Sequence, residues 1–377
     1  MPPEIRYARN GTVTVAWAAT GTGSIDLLFL PGLISHVETF FEEPALARFL
    51  DEGLGRFCRV IVMDRRGTGM SDPMQGTLSV EDELGDLDAV LDAAGSERAA
   101  VLGYTSGGPL AALYAARRPE RIRALVLYAA IARFVAAPGY DWTHDEAARN
   151  ERFEELLHNW GTGANLDLLA PSLGEDAALR AWLARLERRS SSPGQMQALS
   201  INAAHVDVRD ALPTIRVPTL VLHRKDDQLI DVRHSRYLAD VVPGARYVEL
   251  SGEDNLPAAG DTDALLGEIE QFLTGGRRTE SRRALLTVLF TDICDATGRA
   301  AELGDARWRD LLAGHDGTVR REIARYGGRE VKTIGDAFLI TFAGAPSQAL
   351  RCARAIVAAV GLLGSRCAPG CTPASAS

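Results

Sequence analysis

The feature that most constrains this chain is a rhythm of short, wholly apolar runs alternating with amphipathic stretches of helical length. Leu27-Leu28-Phe29-Leu30, Val60-Ile61-Val62-Met63 and the runs at 99–102 and 124–127 are such strands, with helical patterns near 80–94 and 111–118 between them. An apolar run without alternation suits a strand buried on both faces, and strands of that kind joined by helices make a parallel sheet covered on both sides. The rhythm starts at Asp26 and breaks between about 134 and 205, where Ala, Leu, Glu and Arg dominate. That interval reads as an inserted helical cap. The sheet resumes at Thr219-Leu220-Val221-Leu222 and 247–250, and a helix near 263–273 closes the domain.

A chain of 377 residues is long for one core, and a second pattern follows the first. The polar run Gly275-Gly276-Arg277-Arg278-Thr279-Glu280-Ser281-Arg282-Arg283 reads as a linker, and Leu285 opens a new apolar strand. The expected organisation is therefore a domain over 1–274, a linker over 275–283, a second domain over 284–364 and an irregular tail over 365–377. A net charge of −9 argues against nucleic-acid or anionic-membrane partners. No run is long and apolar enough for a membrane span, and the N-terminus lacks a secretory pattern. Five cysteines in scattered positions give neither a disulfide framework nor a zinc spacing, so the cytoplasm is the expected compartment.

The first domain carries its chemistry in three places. Gly103-Tyr104-Thr105-Ser106-Gly107-Gly108 follows a strand and opens a helix, the setting of a nucleophile elbow. Pro31-Gly32-Leu33 follows the first strand, and Asp64-Arg65-Arg66-Gly67-Thr68-Gly69-Met70-Ser71-Asp72 follows the second. These motifs in this order resemble the α/β-hydrolase family over residues 5–274. The resemblance implies Thr105 at the nucleophile position, Asp227 as the acid, and Leu33 and Ser106 at the oxyanion hole. It also puts Asn255, in Gly252-Glu253-Asp254-Asn255-Leu256-Pro257, where the family has its His. Asparagine has no titratable nitrogen, and losing the base of a triad costs on the order of a million-fold. The expectation is a scaffold with a small-molecule pocket and no hydrolysis. Its rival is an esterase-type hydrolase using Thr105, with His36, His205 or His234 as base.

In the second domain Leu289-Phe290-Thr291-Asp292-Ile293 ends an apolar strand on a carboxylate, and Lys332-Thr333-Ile334-Gly335-Asp336 leads into a tight turn. Helical spacing over 296–326 lies between them, and a further helix is expected over 348–363. Carboxylates at adjacent strand ends can hold metal ions and, through them, a triphosphate. The order strand, helix, hairpin, helix is most of a ferredoxin-like split unit. These residues resemble the class III adenylate/guanylate cyclase domain, some members of which carry an N-terminal α/β-hydrolase domain. The resemblance implies two Mg2+ or Mn2+ ions on Asp292 and Asp336, with Lys332 reading the adenine of ATP.

It also implies a further strand, with Asn and Arg beyond it, that residues 365–377 do not match. Pro369 and Pro373 oppose a strand there, so the cyclase domain is expected to be incomplete and the edge beside Asp292 unpaired. A family-like Gly-Leu-Glu-Val-Arg-Ala-Gly-Leu-His-Thr-Gly-Glu in GC-rich codons, with one base deleted after its first codon, reads as residues 364–375. The expected whole is a degraded cyclic-nucleotide signalling protein with a hydrolase-like sensing domain. It would act as a homodimer, or as a heterodimer with a complete cyclase.

Overall fold

A computed structural model describes residues 3–276, 285–343, 346–361 and 367–375. Two compact units result, Met1–Arg277 and Arg278–Ser377. Residues 277–284, most of the expected linker, lie outside the described residues.

The first unit is built on an eight-stranded sheet. Its strands are β1 (Arg6–Asn10), β2 (Val13–Thr20), β3 (Ile25–Leu30), β4 (Cys58–Met63), β5 (Ala99–Tyr104), β6 (Ile122–Tyr128), β7 (Thr219–Arg224) and β8 (Arg246–Leu250). Their spatial order is β1-β2-β4-β3-β5-β6-β7-β8. From β4 to β8 neighbours are parallel, while β2 runs antiparallel to β1 and β4. The apolar runs of the sequence are the inner strands. Leu27, Leu28, Val60, Ile61, Val101 and Val126 are all fully buried, as helices on both faces require. The β1–β2 hairpin escapes the sequence reading, which begins at Asp26; its largely exposed outer strand lacks the continuous apolar signal.

The cap consists of helices Glu146–His158, Leu166–Leu169, Ala177–Ser190 and Pro193–Ala204, inserted between β6 and β7. Trp182 fastens it to the body. Its ring is buried and its Nε1 donates to the Thr39 carbonyl at 2.9 Å. A second staple lies under the cap. Asp64, buried at the end of β4, accepts from Ser35 Oγ at 2.5 Å, Val37 N at 3.0 Å and Met70 N at 2.9 Å. This ties the loop after β3 to the loop after β4.

The second unit contains β9 (Leu285–Ile293), a helical segment Ala296–Arg325, β10 (Arg329–Ile334), β11 (Ala337–Ala343), helix Pro346–Gly361 and β12 (Cys367–Ser375). Helical geometry is broken at Gly304 (φ 73°), so the first segment is two helices rather than one. The β10–β11 connection is Gly335-Asp336. Gly335 takes φ 65°, the conformation a two-residue hairpin of this kind needs at its first position.

The tail corrects the sequence expectation. Residues 367–375 form a strand paired antiparallel along the whole of β9, from Cys367↔Ile293 to Ser375↔Leu285. The sheet order β10-β11-β9-β12 gives the full ferredoxin-like alternation, and the edge of β9 is not left open. Backbone pairing satisfies that edge whatever the side chains are.

Candidate functional site

The elbow is strained in the way its position demands. Thr105 follows β5 with φ 48°, a left-handed conformation that a β-branched residue rarely adopts. Its neighbours leave no room for relaxation. A Cβ on Gly107 would stand 2.3 Å from the Leu30 carbonyl oxygen, and one on Gly32 would stand 2.5 Å from Thr105 Oγ1. The Pro31-Gly32-Leu33 turn therefore lies directly against the elbow. Thr105, Ser106 and Leu33 all border a cavity of about 210 Å3 whose other walls are almost entirely apolar, among them Phe29, Phe134, Trp182 and Met196.

The loops after β7 and β8 bring Asp227 and Asn255 together. The Asp227 side chain is fully buried. Its Oδ1 accepts from the backbone N–H groups of Leu229 at 2.8 Å and Ile230 at 3.0 Å. Its Oδ2 accepts from Asn255 Nδ2 at 2.7 Å. Asn255 Oδ1 in turn accepts from the Tyr104 hydroxyl at 2.5 Å. Burial pushes the Tyr104 hydroxyl well above its ordinary value, so it stays a donor. Asp227, Asn255 and Tyr104 thus form a closed chain in which both ends of the amide are engaged. None of the three is hydrogen-bonded to Thr105 among the described residues, and the amide at 255 has no nitrogen that can act as a base.

The histidines weighed as a replacement base have other partners. His36 Nδ1 caps a short helix, accepting from Thr39 N at 3.3 Å. His205 is exposed at the end of a cap helix. His234 is buried and its Nδ1 meets the Tyr140 hydroxyl at 2.5 Å. His223, close to Asp227 Oδ2 at 3.5 Å, spends one nitrogen on Ser235 Oγ at 2.6 Å and the other on the Ile230 carbonyl at 2.9 Å. No hydrogen bond joins any of them to Thr105 among the described residues.

Burial, with the nearby His223 second, lowers the His234 pKa from 6.5 to about 4. The unfolded chain therefore binds more protons than the folded one between those values. Stability from this residue is complete above pH 6.5 and is lost as pH falls toward 4, by about 3 kcal/mol in all. Denaturant titrations of the chain and of His234→Gln at pH 7.5 and pH 4.5 should show the gap between the two narrow or reverse at the lower pH. An unchanged gap would refute the assignment.

Two site residues carried no signal in the sequence reading. Tyr104 was visible only as part of the elbow. Arg224, the last residue of β7, is fully buried. Its guanidinium donates to the carbonyls of Asp254 at 2.9 Å, Leu256 at 3.0 Å and Ala259 at 2.5 Å, and it lies over the Tyr128 ring. It fixes the loop that holds Asn255. A charged residue closing an apolar strand, Leu222-His223-Arg224, was the available clue.

In the second unit Asp292 and Asp336 do come together. The Ile293 N–H is shared between Asp292 Oδ1 at 3.0 Å and Asp336 Oδ2 at 3.2 Å. Desolvation, and then the adjoining Asp336 carboxylate, raise the Asp292 pKa. Two carboxylates held against each other suit a divalent cation, which would relieve their repulsion. No group of three potential ligands occurs among the described residues, so such a cation would draw its remaining ligands from water or a bound phosphate. Lys332 is exposed on β10, beside an irregularity in its pairing with β11.

An eight-stranded, mostly parallel sheet with a cap, an elbow after β5, an acid after β7 and a polar residue after β8 defines an α/β-hydrolase. The chain belongs to that family: residues 27–256 match the alpha/beta hydrolase fold. Residues 279–363 match the adenylate and guanylate cyclase catalytic domain. Among curated relatives, a 2-hydroxymuconate semialdehyde hydrolase of Pseudomonas putida is 31% identical over 198 residues, 50% of this chain and 67% of that protein. A pimeloyl-[acyl-carrier protein] methyl ester esterase of Neisseria meningitidis is 25% identical over 209 residues, 50% of this chain and 76% of that protein. Polyketide synthase ThaQ of Burkholderia thailandensis is 32% identical over 270 residues, but the chain spans only 12% of its length. Among solved structures, a hydrolase from Pseudomonas aeruginosa superposes with a TM-score of 0.57 at 25% identity, covering 72% of this chain and 98% of that one. No described helix is long and apolar enough to cross a membrane.

Proposed function

We propose that the hydrolase-fold domain binds a small molecule without hydrolysing it, and that it serves as the sensing part of a cyclic-nucleotide signalling protein. The observation that carries this reading is the Asp227–Asn255–Tyr104 chain, which leaves Thr105 without a base beside a preserved apolar cavity. In the cyclase domain Asp292 and Asp336 would hold Mg2+ or Mn2+, and Lys332 would read the base of ATP. The bound metal would position the triphosphate and offset its charge. Asp292, Asp336 and Lys332 would supply the metal and base contacts of such a site. The Asn and Arg that a cyclase uses at the transition state have no counterpart in residues 365–377, and electrostatic stabilisation there is usually the largest catalytic term.

Two assays test this. A panel of nitrophenyl esters should give turnover no faster than Thr105→Ala; turnover abolished by that substitution would establish a working hydrolase instead. With ATP and Mn2+ the 377-residue chain is expected to give no measurable cyclic AMP. Clear product formation would show that the cyclase site is complete as it stands.

A further inference from the structure

The apolar cavity over Thr105 has a neighbouring space. It shares walls at Leu33, Phe134, Phe153 and Ile230 with a larger vestibule of about 490 Å3. The two spaces differ in chemistry. The vestibule is bordered by Arg133, Arg149, Arg152 and Arg233, against the carboxylates of Asp227 and Asp231. Two of the arginines are neutralised: Arg133 pairs with Asp207 at 2.7 Å and Arg233 with Asp231 at 2.7 Å. Asp227 is already committed to Asn255 and to backbone N–H groups.

Among the described residues no carboxylate lies within ion-pair distance of Arg149 or Arg152. Arg149 donates to Asn150 Oδ1 at 2.8 Å and to the Ser200 carbonyl and hydroxyl, and it stacks on Phe153. Arg152, exposed on the same helix, donates to His144 Nε2 at 3.2 Å. Burial holds the Arg149 guanidinium below its ordinary range, with Glu146 opposing weakly. A partly desolvated guanidinium gains from an anion placed beside it, and its fork suits a carboxylate.

We infer that the pocket takes an amphiphilic carboxylate, its aliphatic chain in the cavity over Thr105 and its head group at Arg149 and Arg152. This rests on the ligand-binding reading of the same domain. An unbranched chain suits a cavity whose polar wall is confined to the elbow, and the two arginines choose the sign of the head.

Calorimetric titration of the full chain with sodium decanoate and with 1-decanol, both below their aggregation limits, reads the head group directly. Decanoate should bind at least tenfold more tightly than decanol, with the difference shrinking as salt is raised. Arg149→Met combined with Arg152→Gln should remove the preference. Because Arg149 also packs on Phe153, the exposed Arg152→Gln alone provides a variant that keeps the cap intact, and it should lower decanoate affinity several-fold. Equal binding of both probes, or a preference that survives the double substitution, overturns the inference while leaving a ligand-binding domain. Binding of neither probe overturns it too, and ester turnover that depends on Thr105 would overturn the underlying reading instead.

Discussion

Thr105→Ser combined with Asn255→His should switch on ester hydrolysis by about a thousand-fold or more over the unmodified chain. The scaffold around the missing groups is intact. Asp227 Oδ2 already accepts a hydrogen bond from the residue at 255, at 2.7 Å, and its backbone donors keep it oriented. An imidazole at 255 would donate to the same oxygen and present its second nitrogen toward the elbow, the arrangement of a working triad. The serine removes a methyl from a residue held at φ 48°. Each single substitution should give far less, because a triad acts as a unit and its losses are not additive. The p-nitrophenyl butyrate turnover of the four proteins checks this. A double variant no faster than the parent would mean that something other than the two substitutions blocks the site.

Arg224→Met should cost about 3–5 kcal/mol of unfolding free energy, among the largest single losses available outside the apolar core. Methionine fills much of the volume, but the carbonyls of Asp254, Leu256 and Ala259 lose their donors inside the protein. Those residues surround Asn255, whose own backbone N–H reaches the Leu169 carbonyl at 3.0 Å. The loss should therefore appear both as a lower denaturation midpoint and as faster amide exchange over 254–259. An unfolding free energy within about 1 kcal/mol of the parent's would show that the loop is held by other contacts.

The architecture of the first unit was legible because its inner strands are apolar on both faces and its turns carry glycine where a Cβ would collide. Thr105, Asp227 and Asn255 could each be placed from the motif that surrounds it. Their hydrogen bonds could not, because Tyr104 and Asn255 lie 151 positions apart and only the fold joins them. In the β1–β2 hairpin only the outer strand β1, largely exposed at the sheet edge, lacks an apolar run; β2 carries one, Val15-Ala16-Trp17-Ala18-Ala19, that precedes the strand–helix rhythm. The β12 strand was missed for a different reason. Composition argues against a strand at 367–375, yet an open edge on β9 recruits backbone whatever its side chains. Arg149 and Arg152 did not stand out in a sequence with many arginines, since only geometry shows which of them border the vestibule without an ion pair among the described residues.

The central claim is that Thr105 has no base. Incubation of the purified chain with diisopropyl fluorophosphate, followed by peptide mass analysis, tests it most directly, since that reagent marks only an activated hydroxyl. The structure predicts that the peptide bearing Thr105 and Ser106 stays unmodified under conditions that label the Thr105→Ser, Asn255→His variant fully. A stoichiometric adduct on Thr105 in the unmodified chain would contradict it.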